Sequence, residues 1–216
     1  MSIEEHIKNL RREYSGEPLD EAMVDPDPFR QFEEWFNEAI ESEISDPHAM
    51  VVATVSQTER PSARVVLLRG IDGNGFVFYT NYRSRKGVDI LRNPNVAAVF
   101  FWSELHRQVR VEGSVEKVSS RESDNYFHSR PRESQVGAWA SIQSEIISDR
   151  EELDRHFKEY ERRFEGKLVP RPDSWGGFRI IPEVYEFWQG RPNRLHDRIL
   201  YKLDKSGGWK ISRLAP

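Results

Sequence analysis

Residues 186–201 read EFWQGRPNRLHDRILY, and within five positions they gather Arg194, His196, Asp197 and Arg198, just after Phe187 and Trp188. Guanidiniums offer paired N–H donors that match phosphate or carboxylate, and large rings offer flat faces. Together they suit one wall of a pocket for phosphorylated aromatic molecules. A solvated charge run is the plainer reading of the same letters.

Four further clusters could carry chemistry. In NYRSRKGVDI, Arg83, Arg85 and Lys86 surround Ser84 at an expected helix start. A helix N-terminus presents unpaired N–H groups and partial positive charge, so added cations make a phosphate site, although a solvated basic turn explains the letters equally well. In NYFHSRPRESQVGAW, Tyr126 and Arg130 are four apart and are expected on one helix face, with Ser134 beyond Pro131. A phenol, a guanidinium and a hydroxyl could grip a second phosphate; His128 beside them reads as structural. In RVVLLR, Arg64 and Arg69 bracket four apolar residues. Strict alternation puts them on opposite faces, so one ligand meets both only with help from a bulge, a strand end or main-chain contacts. In RQVRVEG, Val109 and Val111 face one way and Gln108 the other, where it reads as an ordinary exposed residue. The six His show no metal-ligand spacing, and no P-loop, G-x-G-x-x-G or G-x-S-x-G is present.

These groups need a scaffold. The 216 residues suffice for one large domain. The formal net charge of −4 argues against a general nucleic-acid or membrane-surface binder. Without cysteine there is no disulfide, thiolate metal site or cysteine nucleophile. With neither a signal peptide nor a long apolar run, the expectation is a cytoplasmic protein. Residues 3–14 are expected as a charged helix and the following stretch as a linker. Asp27 and Pro28 should open a second helix that buries Phe29, Phe32, Phe36 and Ile40. Strands are expected at 49–56, 62–71, 75–81, 95–103 and 107–119, with DGNG turning a hairpin and a helix at 84–93. Helical segments follow Ser119, the clearest at 149–164, and three or four strands close the chain, the last two joined at KSGG. Consecutive antiparallel strands with a few helices imply an α+β class and a closed or nearly closed barrel.

RVVLLR, FYTN, SRK, RQVRVEG, YFHSRPRESQVGAW, QSEIIS, WGGFR, EFWQG, NRLHDR and the terminal RLAP together resemble the pyridoxine/pyridoxamine 5′-phosphate oxidase family, in order, from about Arg11 to Pro216. The resemblance implies an FMN-binding split β-barrel with flanking helices, working as a homodimer whose active sites draw on both chains. It implies oxidation of pyridoxamine or pyridoxine 5′-phosphate to pyridoxal 5′-phosphate by O2, with hydrogen peroxide released and ammonia from the amine. It divides the chain into residues 1–26, a helix and linker able to act as a lid, and residues 27–216, one domain whose last strands serve dimerisation and substrate binding.

Carried over by position, the resemblance implies FMN contacts at Arg64, Val65, Val66, Leu67, Leu68, Arg69, Tyr79, Thr80, Arg85, Lys86, Gln108, Gln143, Ser144, Trp188 and Arg198. It implies substrate contacts at Arg11, Tyr14, Arg69, Tyr126, Arg130, Ser134, Arg194, Leu195 and His196, with Arg194 and His196 also in the catalytic role. Asp197 is expected to orient a neighbouring arginine. One position departs from the pattern: Arg69 stands where the family normally has Lys, keeping the charge on a bulkier planar group. The rival readings are a non-catalytic flavin- or pyridoxal-phosphate-binding protein on the same barrel, and a flavin reductase using a nicotinamide.

Overall fold

The structure, a computed structural model, describes residues 2–10 and 13–216. Arg11 therefore lies outside the described residues. The chain divides into two compact units, one formed by Met1–Pro47, Val99–Val111 and Glu183–Pro216, the other by His48–Ala98 and Glu112–Pro182.

In the second unit β1 (Ala49–Val55) pairs antiparallel with β2 (Pro61–Leu67), and β3 (Gly70–Asp72) pairs with β4 (Gly75–Asn81) across the expected DGNG turn. The single strand expected at 62–71 is thus two. Leu68 N–H donates to His48 C=O and Arg69 N–H to Val77 C=O, both at 2.8 Å. Two residues hand the chain from β1 to β4, and Arg69 sits at that switch rather than within a regular alternating strand. After α3 (Arg85–Arg92), strands β5 (Asn95–Trp102), β6 (Arg107–Lys117) and β7 (Trp175–Gln189) run through both units. The strand order is β2-β1-β5-β6-β7-β4-β3. Its two end strands, β2 and β3, are consecutive in the chain.

Between β6 and β7 lie α4 (Ser120–Ser129), α5 (Arg132–Ala140) and α6 (Arg150–Arg163). Ser119 accepts from Glu122 N–H at 3.1 Å and so caps α4. The helix stops before Pro131, whose ring disfavours a helical backbone at the preceding residue. Arg130 is accordingly extended (φ −75°, ψ 152°) and does not continue a helix face with Tyr126, which corrects the sequence expectation. Phe127, Val136, Phe164, Val169 and Trp175 form a buried cluster that seats the three helices. Arg132 donates to the carbonyls of Phe164 and Lys167, satisfying acceptors at the end of α6.

In the first unit, α1 covers only Ile3–Asn9 of the helix expected at 3–14. It has a capping box between Ser2 and Glu5 but buries no residue, so no tertiary packing sustains a longer helix. In α2 (Pro28–Glu41) Asp27 accepts from Phe29 N–H as expected. The buried face is centred on Phe32, Trp35 and Ala39, while Ile40 is exposed. Trp35 packs edge-on to Phe187, and that larger apolar surface turns the helix away from the expected Phe29–Ile40 stripe. The closing strands number three, because the two segments expected from WGGFRIIP and VYEFWQG are the continuous β7. Strand β8 (Asp197–Leu203) then pairs onto its C-terminal half, and β9 (Trp209–Arg213) pairs with β8. Among the described residues no helix is long and apolar enough to cross a membrane.

Candidate active site

The second unit holds a pocket of about 480 Å³ whose lining residues come from β2, β4, α3, α4, α5, the loop after α5 and the start of β7. Among the described lining residues Arg69, Lys86 and Arg130 are cationic and none is a carboxylate. The cations fall into two groups.

The first group lies at the start of α3. Buried Ser84 caps the helix: its hydroxyl donates to Asn81 C=O at 2.7 Å and accepts from Gly87 N–H at 3.3 Å. Lys86 then reaches back, its Nζ donating to Gln143 Oε1 at 2.9 Å and Thr80 Oγ1 at 3.2 Å. Arg85 N–H donates to the hydroxyl of Ser144, whose φ of 75° is rare for a side-chain-bearing residue. Burial, and secondarily the charge of Arg64, lower the Lys86 pKa from its ordinary value of 10.5. Arg64 does not line the pocket. Its guanidinium is held by Val52 C=O, Thr54 Oγ1, Ser62 C=O and Ser62 Oγ, and Thr54 in turn donates to buried Asp89 at 2.9 Å. Replacing Ser84 by Ala is expected to cost about 1 kcal/mol of unfolding free energy through loss of the cap. Denaturant titration measures this, and an unchanged midpoint and slope would remove Ser84 from the account of how α3 starts.

The second group surrounds the α4–α5 corner, where Tyr126, Arg130 and Ser134 line the pocket, as do β2 residues Val65, Val66 and Leu67. Tyr79 stacks on Tyr126 with centroids 3.9 Å apart, and both rings lie nearly parallel to Trp175. Burial, with a smaller contribution from Glu122, pushes the Tyr79 phenol up to about 12, so it stays protonated. The Arg130 guanidinium lies over the Trp175 ring at 4.7 Å, and its buried Nη1 has no hydrogen-bond partner among the described residues. Burial lowers its pKa first, with Tyr126 and Arg69 as opposing lesser influences.

The first unit holds the C-terminal cluster. Tyr14 packs edge-on to His106, Trp188 and His196, and Trp188 lies 4.7 Å from His196 between ring centroids. His196 Nδ1 accepts from Arg191 N–H at 3.0 Å, which leaves Nε2 as the protonated nitrogen of the neutral ring. Burial, and then the charge of Arg194, lower its pKa. A short 3-10 turn, Pro192–Arg194, presents Arg194, with Asn193 at φ 58° and Arg194 at φ 64°. Arg194 and Leu195 are exposed. Arg198 pairs with buried Glu186 at 2.8 Å and donates to Ala215 C=O. Asp197 does orient arginines, but they are Arg213 at 2.7 Å and Arg191 at 3.4 Å. Gln108 is half-buried on β6, beside fully buried Val109 and Val111.

Of the residues expected at the site, the pocket brings together Val65, Val66, Leu67, Arg69, Tyr79, Thr80, Lys86, Tyr126, Arg130, Ser134 and Gln143. Leu68 is buried, and Arg85 and Ser144 meet beside the Lys86 grip. The sequence reading missed Asn81 and Trp175 in the lining, and Thr54 and Asp89 behind Arg64. Trp175 had a signal in SWGG: a Cβ on Gly176 would stand 2.2 Å from Tyr82 Oη, and one on Gly177 2.5 Å from a Val118 methyl. That close packing fixes the start of β7.

The fold is the α+β split β-barrel with flanking helices. Residues 36–164 match the family described as pyridoxamine 5′-phosphate oxidase, and residues 175–216 match the pyridoxine 5′-phosphate oxidase C-terminal dimerisation region. The chain is 52% identical over 210 residues to a pyridoxine/pyridoxamine 5′-phosphate oxidase of Trichormus variabilis, covering 97% of this chain and 98% of that one. It is 54% identical over 212 residues to the protein of the same name from Burkholderia mallei, covering 97% and 99%. Among solved structures it is similar to PhzG from Burkholderia lata in complex with tetrahydrophenazine-1-carboxylic acid, with TM-score 0.87, 29% identity, and 94% of this chain and 100% of that one covered. The chain belongs to the pyridoxamine 5′-phosphate oxidase family and is an oxidoreductase of that family.

Proposed function

We propose that the protein is an FMN-dependent oxidase that converts pyridoxamine 5′-phosphate and pyridoxine 5′-phosphate to pyridoxal 5′-phosphate, and that it works as a homodimer. The observation that carries this reading is the charge of the pocket: two separate cationic groups on one cavity, with no carboxylate among its described lining residues. Two phosphorylated ring molecules supply the two missing counter-charges.

The residues present fit FMN. Lys86 has three N–H donors and uses two of them on Thr80 and Gln143, leaving one for a phosphate oxygen at the start of α3. Strand β2 pairs with β1 on one side only, so main-chain groups along Val65–Leu67 are available to a ring edge. When bound, FMN supplies the acceptor for the two electrons that leave the substrate's exocyclic carbon and delivers them to O2. With the alcohol, the products are the aldehyde and H2O2. With the amine, one water is also consumed and ammonia released.

The chain's own work is to bind, orient and exclude water. Arg130, Tyr126, Ser134 and Arg69 hold the substrate phosphate and so fix one end of its long axis. In the dimer, Arg194 and His196 face the pyridine ring and set its tilt, and Tyr14 closes over it. Positioning of this kind, rather than a covalent step on the protein, is what the chain contributes. The test is anaerobic mixing of the FMN-loaded protein with pyridoxamine 5′-phosphate. Bleaching of the flavin absorbance with formation of pyridoxal 5′-phosphate is expected. A spectrum that stays oxidised while substrate binds would instead identify a carrier.

A further inference from the structure

We infer that Trp175 is a positioning residue for the substrate-phosphate grip, holding the Arg130 guanidinium by its ring face so that no protein acceptor competes with the phosphate for its N–H groups. The inference rests on the assignment of Arg130 to the substrate phosphate made above.

The other half-buried arginines near this corner are neutralised in place. Arg171 pairs with Asp124 at 2.6 Å and donates to Trp175 C=O, and Arg179 faces Asp72 at 3.2 Å and Glu122 at 3.4 Å. The Arg130 main chain donates to Phe127 C=O and accepts from Gln135 Nε2, but the buried Nη1 of its side chain has no hydrogen-bond partner among the described residues. The guanidinium is held over Trp175 at 4.7 Å, with Phe127 farther off at 5.8 Å. A carboxylate would fix the group equally well but would occupy its donors and cancel its charge; an aromatic face does neither. Trp175 is itself buried and fixed. It packs edge-on to Phe127, lies parallel to the Tyr79–Tyr126 stack, and begins the strand that Gly176 and Gly177 allow to pack closely. Burial already disfavours the free cation at Arg130, so an incoming dianion meets a charge that is poorly compensated and already aimed.

The experiment uses FMN-loaded protein and compares pyridoxine 5′-phosphate with unphosphorylated pyridoxine. Trp175→Leu is expected to raise KM for the phosphate ester about tenfold, the scale of a desolvated cation–π contact, with kcat nearly unchanged and kcat/KM for pyridoxine unaffected. Trp175→Phe keeps a ring face and should restore most of the loss. Arg130→Lys keeps the charge but cannot lie flat on the ring, and should lose a similar factor; it serves as the independent arm should Trp175→Leu fail to fold. Equal losses for both substrates, or wild-type discrimination in Trp175→Leu or Arg130→Lys, would overturn the inference. Arg130→Ala separates the two levels: if it leaves discrimination for phosphate intact, the assignment of the grip itself is wrong. If Arg130→Ala abolishes discrimination while Trp175→Leu does not, only the role of Trp175 fails.

Discussion

Lys86→Met is expected to weaken FMN binding about a hundredfold while leaving riboflavin binding unchanged. The estimate follows from losing a charge-assisted contact in a half-buried site, worth about 1.5–3 kcal/mol. Methionine keeps most of the apolar stem, so the change isolates the ammonium. Riboflavin lacks the phosphate and serves as the internal control. Titration of the apoprotein with each ligand reads both constants; an equal loss for the two would place Lys86 against the ring system instead of the phosphate.

The same residue sets a pH dependence whose sign can be worked out. Burial and Arg64 lower the Lys86 pKa, so the free protein releases this proton at a lower pH than an ordinary lysine. A bound phosphate favours the charged form and draws the pKa back up. FMN affinity should therefore be constant at neutral pH and fall as pH rises through the lowered pKa, below 10.5. In Lys86→Met that alkaline fall should be absent. Its persistence in the variant would assign the titration to another group.

The second large effect concerns Arg194. Arg194→Ala is expected to lower kcat/KM for pyridoxamine 5′-phosphate about a hundredfold with FMN still bound, because a misoriented ring loses near-attack geometry. Asn193 and Arg194 are consecutive side-chain-bearing residues at positive φ, a backbone costing roughly 1–2 kcal/mol per residue. Arg194→Gly removes that strain together with the side chain. It should match Arg194→Ala in lost turnover yet exceed the wild type in thermal stability. Near-normal turnover in both variants would take Arg194 out of the mechanism.

Much of this was legible in the letters, for identifiable reasons. Ser84 before two cations, Ser119 three residues ahead of Glu122, and Asp27 before Pro28 are local capping signals, and local hydrogen bonds realise all three caps. The resemblance marked most of the pocket lining because whole motifs, rather than single residues, were matched. What was illegible depends on tertiary pairing. The handover at Leu68–Arg69 is set by which neighbour each N–H finds, His48 or Val77, and no alternation pattern within 62–71 reveals it. The face of α2 turned toward Trp35 because of a ring contact with Phe187, far away in sequence. Asp197 found Arg213 and Arg191 rather than its nearest neighbours for the same reason. Asp89 and Thr54 support Arg64 from separate elements, so neither stood out as part of a site.

The most direct measurement is an aerobic assay of the purified protein saturated with FMN, given pyridoxamine or pyridoxine 5′-phosphate, with aldehyde and peroxide quantified together. Equal amounts of pyridoxal 5′-phosphate and hydrogen peroxide from each substrate, with ammonia from the amine alone, are the predicted result. Stable binding of both ligands with neither product formed would contradict it.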